Sequence, residues 1–262
     1  MSDTGDDLYL KAIRGRYADL DSWMLRGARL PPEEPQPRSE LALDDSHFPS
    51  FRLSETARLS LVAGGEHLRL VRDAIESGNL YPTAHFTTIR GALVGAAQAV
   101  WLLGADEPSV RRDRGLAFVE EMHRQMDKYY QELFNLDLTA TDRKGIENQK
   151  RWLAGRNAEV GALRTSALAL NQTSMIGWSL DFVFKDKARR DEGRLLWRQV
   201  SADAHTLMWS MVQRASGREP ERSTGLAIHQ VGGDLSQIAQ PFVCAHTMLK
   251  RGWSLFDQRC EG

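Results

Sequence analysis

A chain of 262 residues, 42% hydrophobic and 26% charged, lies at the upper edge of one domain and can bury a full core without disulfide staples. Its formal net charge of −1 provides no overall field to gather nucleic acid or anionic lipid, so any such site must be local. Cys244 and Cys260 form no CxxC pair or framework, and the acidic start Met1 to Tyr9 is wrong for a secretory or transit leader. A reducing, cytoplasmic setting is expected.

Helix-period patterns with start and stop signals recur along the whole chain, whereas sustained β alternation is nearly absent. The expected fold class is all-α, a multi-helix bundle with an N-terminal helical arm and a C-terminal helix. The first helix, about Asp6 to Arg29, carries Ile13, Tyr17, Leu20 and Met24 on one side and ends at Pro31-Pro32. Residues 31–53 hold five of the nine prolines and read as a linker, which makes residues 1–30 an arm free to pack on its own body or on a second subunit. The bundle domain then covers residues 54–262.

Within it, Ser54 opens a helix that stops at Glu76-Ser77-Gly78. The next, about Thr83 to Leu103, lines up Ala92, Gly95, Ala96 and Ala99, small residues that let another backbone come close. Its apolar part, Gly91 to Ala105, contains Gln98 and is shorter than the roughly 20 residues that span a bilayer, so no membrane segment is expected. Further helices are predicted from Asp106-Glu107-Pro108 to about Phe134, from a Thr141 or Asp142 cap through Trp152, and over Gln172 to Phe184. One long helix is predicted from about Arg189 to Gln213. A last one runs from about Thr224 to Gln258, with a break or kink expected at Gly232-Gly233 and Pro241. The seven tryptophans are spread over these helices, which suits shared core anchoring better than a platform for stacked bases.

The chain has no G-x-S-x-G, no phosphate-binding glycine loop, no dinucleotide fingerprint, no H-E-x-x-H and no zinc-type Cys/His spacing. Glu120 and His123 have the E-x-x-H spacing of di-iron bundles, but such a site needs a second copy and further glutamates, so the run Glu120 to Arg124 reads as a solvated charged face. No metal and no cofactor is expected. Lys185, Lys187, Arg189, Arg190 and Arg194 form a local basic excess that is either a solvated helix start or a strip for contacting nucleic-acid phosphates.

Arg198 and His205, seven residues apart on the predicted long helix, project from nearly the same face, with Trp209 close to them and Leu196, Val200, Leu207 and Met211 on the opposite, core-facing side. An imidazole can exchange a proton near neutral pH and a guanidinium can hold a scissile phosphate with paired donors. That pair suits metal-independent RNA cleavage, with Gln199 and Ser201 as supporting residues and Asp203 too far around the helix to take part. Arg222 and His229 repeat the spacing, so the spacing alone does not single out the pair.

The runs Arg90 to Ala97, Trp101 to Leu103 and Trp197 to His205 resemble a group of uncharacterised actinobacterial all-helical proteins that are similar to the HEPN superfamily. In that group a glutamate often stands at the position of Val94, and a glycine often follows the histidine where this chain has Thr206. The resemblance spans about Pro82 to Gln213. It implies a helical bundle, frequent homodimers and, in active members, a metal-independent endoribonuclease of toxin or phage-defence systems with Arg198 and His205 as its catalytic residues. Other members of the superfamily are inactive binding modules. The functional expectation is therefore a self-associating helical module with a protein or RNA partner, with the endoribonuclease as the alternative.

Overall fold

The helix with no polar face dictates the architecture. The computed structural model describes residues 3–217, 223–224, 229–230 and 232–261, and its central element is α5 (Ala84–Leu103), apolar around most of its circumference. A helix of that kind has to be covered on every side. α5 is also long and apolar enough to cross a membrane by length and composition, yet most of it is buried inside the bundle. Its cover comes from α4 (Leu53–Glu76), α6 (Pro108–Phe134), α8 (Gln172–Val183), α9 (Lys187–Ala204) and α11 (Leu235–Cys260). The remaining helices are α1 (Asp3–Arg14), α2 (Tyr17–Gly27), α3 (Glu40–His47), α7 (Ala140–Leu163) and α10 (Met208–Arg214). An antiparallel pairing of Ser216–Gly217 with His229–Gln230 is the only β geometry among the described residues. Apart from that short pairing, the regular structure of the described residues is all helix, as the periodicity predicts.

The small residues on α5 act as expected. Gly95 lies on α4 so closely that a side chain there would collide with the Ser60 carbonyl and sit 3.2 Å from the Gly64 Cα. This contact brings two backbones together and lets Leu61, Leu93, Ala96 and Leu249 close over the seam with no solvent exposure to speak of.

Of the two placements open to the N-terminal segment, packing on its own body is the one found, although the segment is not one helix and residues 31–53 are not extended chain throughout. The first helix is two, α1 and α2, divided at Gly15-Arg16, and both pack on the chain's own body: Ile13, Leu20 and Trp23 join the main core through α11 and α4. Exposed ion pairs such as Arg14 to Glu76 at 2.8 Å add little beside that apolar burial. Residues 31–53 are likewise part of the body. They contain α3, capped by Ser39, whose Leu41 enters the same core and whose Asp44 is buried against Arg111 at 2.6 Å. Arg111 is completely buried. It also donates to the carbonyls of Ala105 and Asp106 and stands 2.9 Å from Glu40, a carboxylate shared with Arg259 of α11. Once desolvated, such a pair leaves a strongly unfavourable lone charge if either partner is removed, so the proline-rich segment is pinned by a charge as well as by Leu41.

Other boundaries shift for local reasons. Thr139, rather than Thr141 or Asp142, caps α7 by accepting from the Asp142 N–H. α11 begins after Gly232-Gly233, at an Asp234 cap, and continues as helix through Pro241 in its second turn. The part of the predicted last helix at residues 225–228 and 231 lies outside the described residues.

Replacing Gly95 by alanine is expected to force α4 and α5 apart and cost about 2 kcal/mol, the range seen when a packed core is overfilled. The unfolding midpoint in urea measures it, and an unchanged midpoint would show that the helices can separate freely.

Candidate functional site

His205 stands where the predicted long helix stops, seven residues beyond Arg198. α9 starts at an Asp186 cap, which accepts from the Arg189 N–H, and ends at Ala204. The stop is a closed hydrogen-bond pattern: the Thr206 N–H bonds the Asp203 carbonyl at 3.0 Å and the Leu207 N–H reaches back to the Ala202 carbonyl at 2.8 Å. These are the two bonds of a Schellman ending, and they require the residue after the cap to be left-handed. Thr206 takes that role with φ of 55°. A β-branched residue is strained in this conformation, and glycine is the residue that adopts it freely.

The predicted rod from about Arg189 to Gln213 is therefore corrected to α9, an elbow at His205 to Leu207, and α10. Arg198 and His205 nevertheless remain on one trajectory, since the His205 N–H still bonds the Ser201 carbonyl at 3.2 Å. Both side chains are exposed, and neither makes a hydrogen bond or ion pair with any described residue. Trp209 is on the far side of the elbow. Leu207, assigned to the core stripe from its position on a continuous helix, is half-exposed because the turn swings it out, while Leu196 and Val200 stay buried as expected.

Helical geometry alone sets Asp203 aside, and the structure makes it the pin of the elbow. Its buried carboxylate receives Arg214 at 2.5 and 2.9 Å and the Ser210 hydroxyl at 3.1 Å, so the two ends of α10 are fastened to α9. The Arg214 guanidinium also lies 3.8 Å over the Phe86 ring, tying α10 to the start of α5. No short motif announces a carboxylate and an arginine eleven residues apart, and only the turn between them brings them together. Of the supporting residues, Gln199 is partly exposed, and Ser201 keeps its Oγ buried without a hydrogen-bond partner among the described residues.

The basic strip does not act as a unit. Lys187 pairs with Asp191 at 2.5 Å, and Arg194 and Arg190 both turn to Asp181, at 2.6 and 3.8 Å. Lys185 and Arg189 are exposed without a carboxylate partner among the described residues. Glu120 and His123 separate as well. Glu120 pairs with Arg164, whereas His123 is buried, with Nδ1 2.9 Å from Asn157 Oδ1 and its ring edge-on to Trp152, so the predicted solvated face holds a core histidine. Arg222 of the second Arg/His spacing lies outside the described residues. Trp23, Trp101, Trp197 and Trp253 anchor the core as expected, while Trp152 and Trp209 are largely exposed.

Two of the runs singled out in the sequence are neighbours in space: Arg90 to Leu103 belongs to α5, Trp197 to His205 to α9 and its cap, and the Arg90 guanidinium lies 5.2 Å over the Trp197 ring. Comparison with protein-family profiles, with characterised proteins and with solved structures finds no match to this chain.

Thr206→Gly is expected to raise stability by about 1 kcal/mol by removing the left-handed strain. Thermal unfolding of the two proteins side by side measures the change, and a loss of stability would mean that the threonine side chain makes a contact worth more than its strain.

Proposed function

We propose that the chain is a self-associating helical binding module of the cytoplasm whose docking face is the α9–α10 elbow. The observation that carries this reading is a contiguous set of exposed apolar side chains on a rigidly pinned helix: Leu207 is 50% exposed, Met208 71%, Trp209 44% and Val212 42%. Isolated exposed apolar residues are ordinary, but a run of them with tryptophan and methionine at its centre has the composition of an interface anchor. Leu195, one turn before Arg198, extends the same apolar character along α9. Because the Asp203 to Arg214 pair fixes the elbow in place, docking would cost little ordering entropy. A two-fold contact between two such elbows presents the same patch on both sides, the commonest form of homo-oligomer. Unpaired and buried, Cys244 and Cys260 fit a reducing compartment. Sedimentation analysis should find a dimer at about 100 µM protein, a concentration that saturates micromolar association. Trp209→Asp together with Met208→Asp should then give a monomer of unchanged helical content. A wild-type protein that stays monomeric rejects the reading.

A second reading, the HEPN-type metal-independent endoribonuclease of a toxin or defence system, is favoured by one local observation. Arg198 and His205 are both exposed, unpaired among the described residues and borne on one helical trajectory, next to a left-handed turn at a position where the group that the sequence resembles often carries glycine. In this reading His205 exchanges the proton with the attacking 2′-hydroxyl or the leaving group, and Arg198 binds the scissile phosphate. The elbow dimer would set two such pairs side by side and give an RNA strand a composite groove. Incubation with mixed RNA in the presence of chelator should produce cleavage that falls at least about a hundredfold in His205→Ala. RNA left intact by wild-type protein at high concentration rejects this reading and leaves the binding module standing.

A further inference from the structure

Away from the elbow, the second half of α6 carries an apolar stripe that the bundle leaves partly uncovered. Phe118, Met122, Met126 and Tyr129 follow one another at helical spacing and, with Tyr130, line a groove of about 910 Å³. Leu170, Asn171 and Gln172, at the end of the connection from α7 to α8, and Gln98 of α5 also line it. Tyr129 is 62% exposed, and its ring stands 5.9 Å from that of Tyr130.

The polar groups of this groove are mostly neutral amides with unused donors and acceptors. Gln98 interrupts the apolar run Gly91 to Leu103 and has no hydrogen-bond partner among the described residues. Gln172 accepts from Arg90 at 2.9 Å and Asn171 accepts from the Ser174 N–H, which leaves the amide N–H groups of both; Gln125 donates to Glu121 at 2.7 Å, which leaves its carbonyl. Glu121, the one charged residue in the lining, is paired with Arg124 at 2.6 Å. Main chain is open here too. Arg164 and Asn171, the ends of the connection, are extended, and Ala167, Ala169 and Leu170 between them make no main-chain hydrogen bond among the described residues. The other edge of the same segment is fastened: Arg164 donates to the carbonyls of Ser166 and Leu168, while the buried Asp113 accepts from the Thr165 N–H at 3.1 Å and from the Ser166 hydroxyl. Successive residues of an extended chain turn their N–H and C=O to opposite sides, so Ala167 and Ala169 point away from that clamp as the free edge of a strand. A free edge held rigid beside a methionine-bearing apolar floor suits the addition of a strand from another protein. A helical partner has its own main chain already paired and would leave the edge and the amides unused, and a charged ligand finds no free counter-charge in the lining. The stripe from Phe118 to Tyr130 runs roughly 18 Å, which is about five or six residues of extended chain.

We propose that this groove binds an extended, uncharged segment of a partner protein, its alternate apolar side chains on Met122, Met126 and Tyr129 and its main chain paired with the Ala167 and Ala169 edge and the amides of Gln98, Asn171 and Gln172. Panning a phage-displayed library of random peptides of about seven residues against the intact protein, followed by fluorescence anisotropy of the enriched peptides, tests it. Sequences without charged residues and with apolar residues at every second position should be enriched. Two forms of an enriched peptide, N-methylated at one or the other alternate set of residues, keep every side chain but lose main-chain donors, and one of them should bind at least about tenfold more weakly. Met126→Glu and the exposed Tyr129→Ser should each weaken the peptide by about tenfold or more in proteins whose circular dichroism matches the wild type. No enrichment, enrichment of charged or helix-forming sequences, full affinity of both N-methylated peptides, or full affinity in a folded Tyr129→Ser protein would each overturn the proposal.

Discussion

A 20-residue helix with hardly any polar surface cannot stand facing water, and the other helices are arranged by the need to cover α5. The covering is tight because Gly95 and Gly64 bring α4 against it, and the burial of Ile89, Leu93, Val100 and Leu102 follows from that approach. α9 is one of the covering helices. Its buried side is fixed by the contact with α5, which leaves Arg198 on the outer side, and the line of α9 in turn sets where the elbow emerges.

The elbow shows how a local backbone preference and a buried charge combine. Hydrogen bonds at Thr206 and Leu207 end α9, but ending a helix does not by itself set the direction of the next one. Direction comes from Asp203, which draws Arg214 and Ser210 back toward α9 and holds α10 across the start of α5. The outward faces of Met208 and Trp209 are a consequence of that clamp. A charge pair on the inside thus maintains an apolar patch on the outside.

Charge pairing also organises the rest of the surface. The basic run before and along α9 looks like a phosphate-contact strip in one dimension, yet in three dimensions Asp181 and Asp191 take up Lys187, Arg190 and Arg194. Lys185, Arg189 and Arg198 are left without a carboxylate among the described residues, and a count of charges along the chain does not tell them from the paired ones.

The helical class, the limits of α4, α5, α6 and α8, and the small-residue seam on α5 were all legible in the sequence, because each rests on periodicity, capping and residue size, which are local properties. The exposure of Arg198 and His205 was legible too, from their place off the aliphatic stripe of α9. The matters that the chain alone left open were decided by contacts distant in sequence. Ile13, Leu20 and Trp23 would have served equally well against a second subunit until α11 and α4 offered them a core. The proline-rich segment read as a linker because its signals exclude a long helix, whereas its docking depends on Arg111, 67 residues beyond Asp44. The stop at Thr206 carried no glycine or proline to mark it, since a left-handed threonine is tolerated only where surrounding bonds outweigh its strain, and those bonds exist only once α10 has folded back.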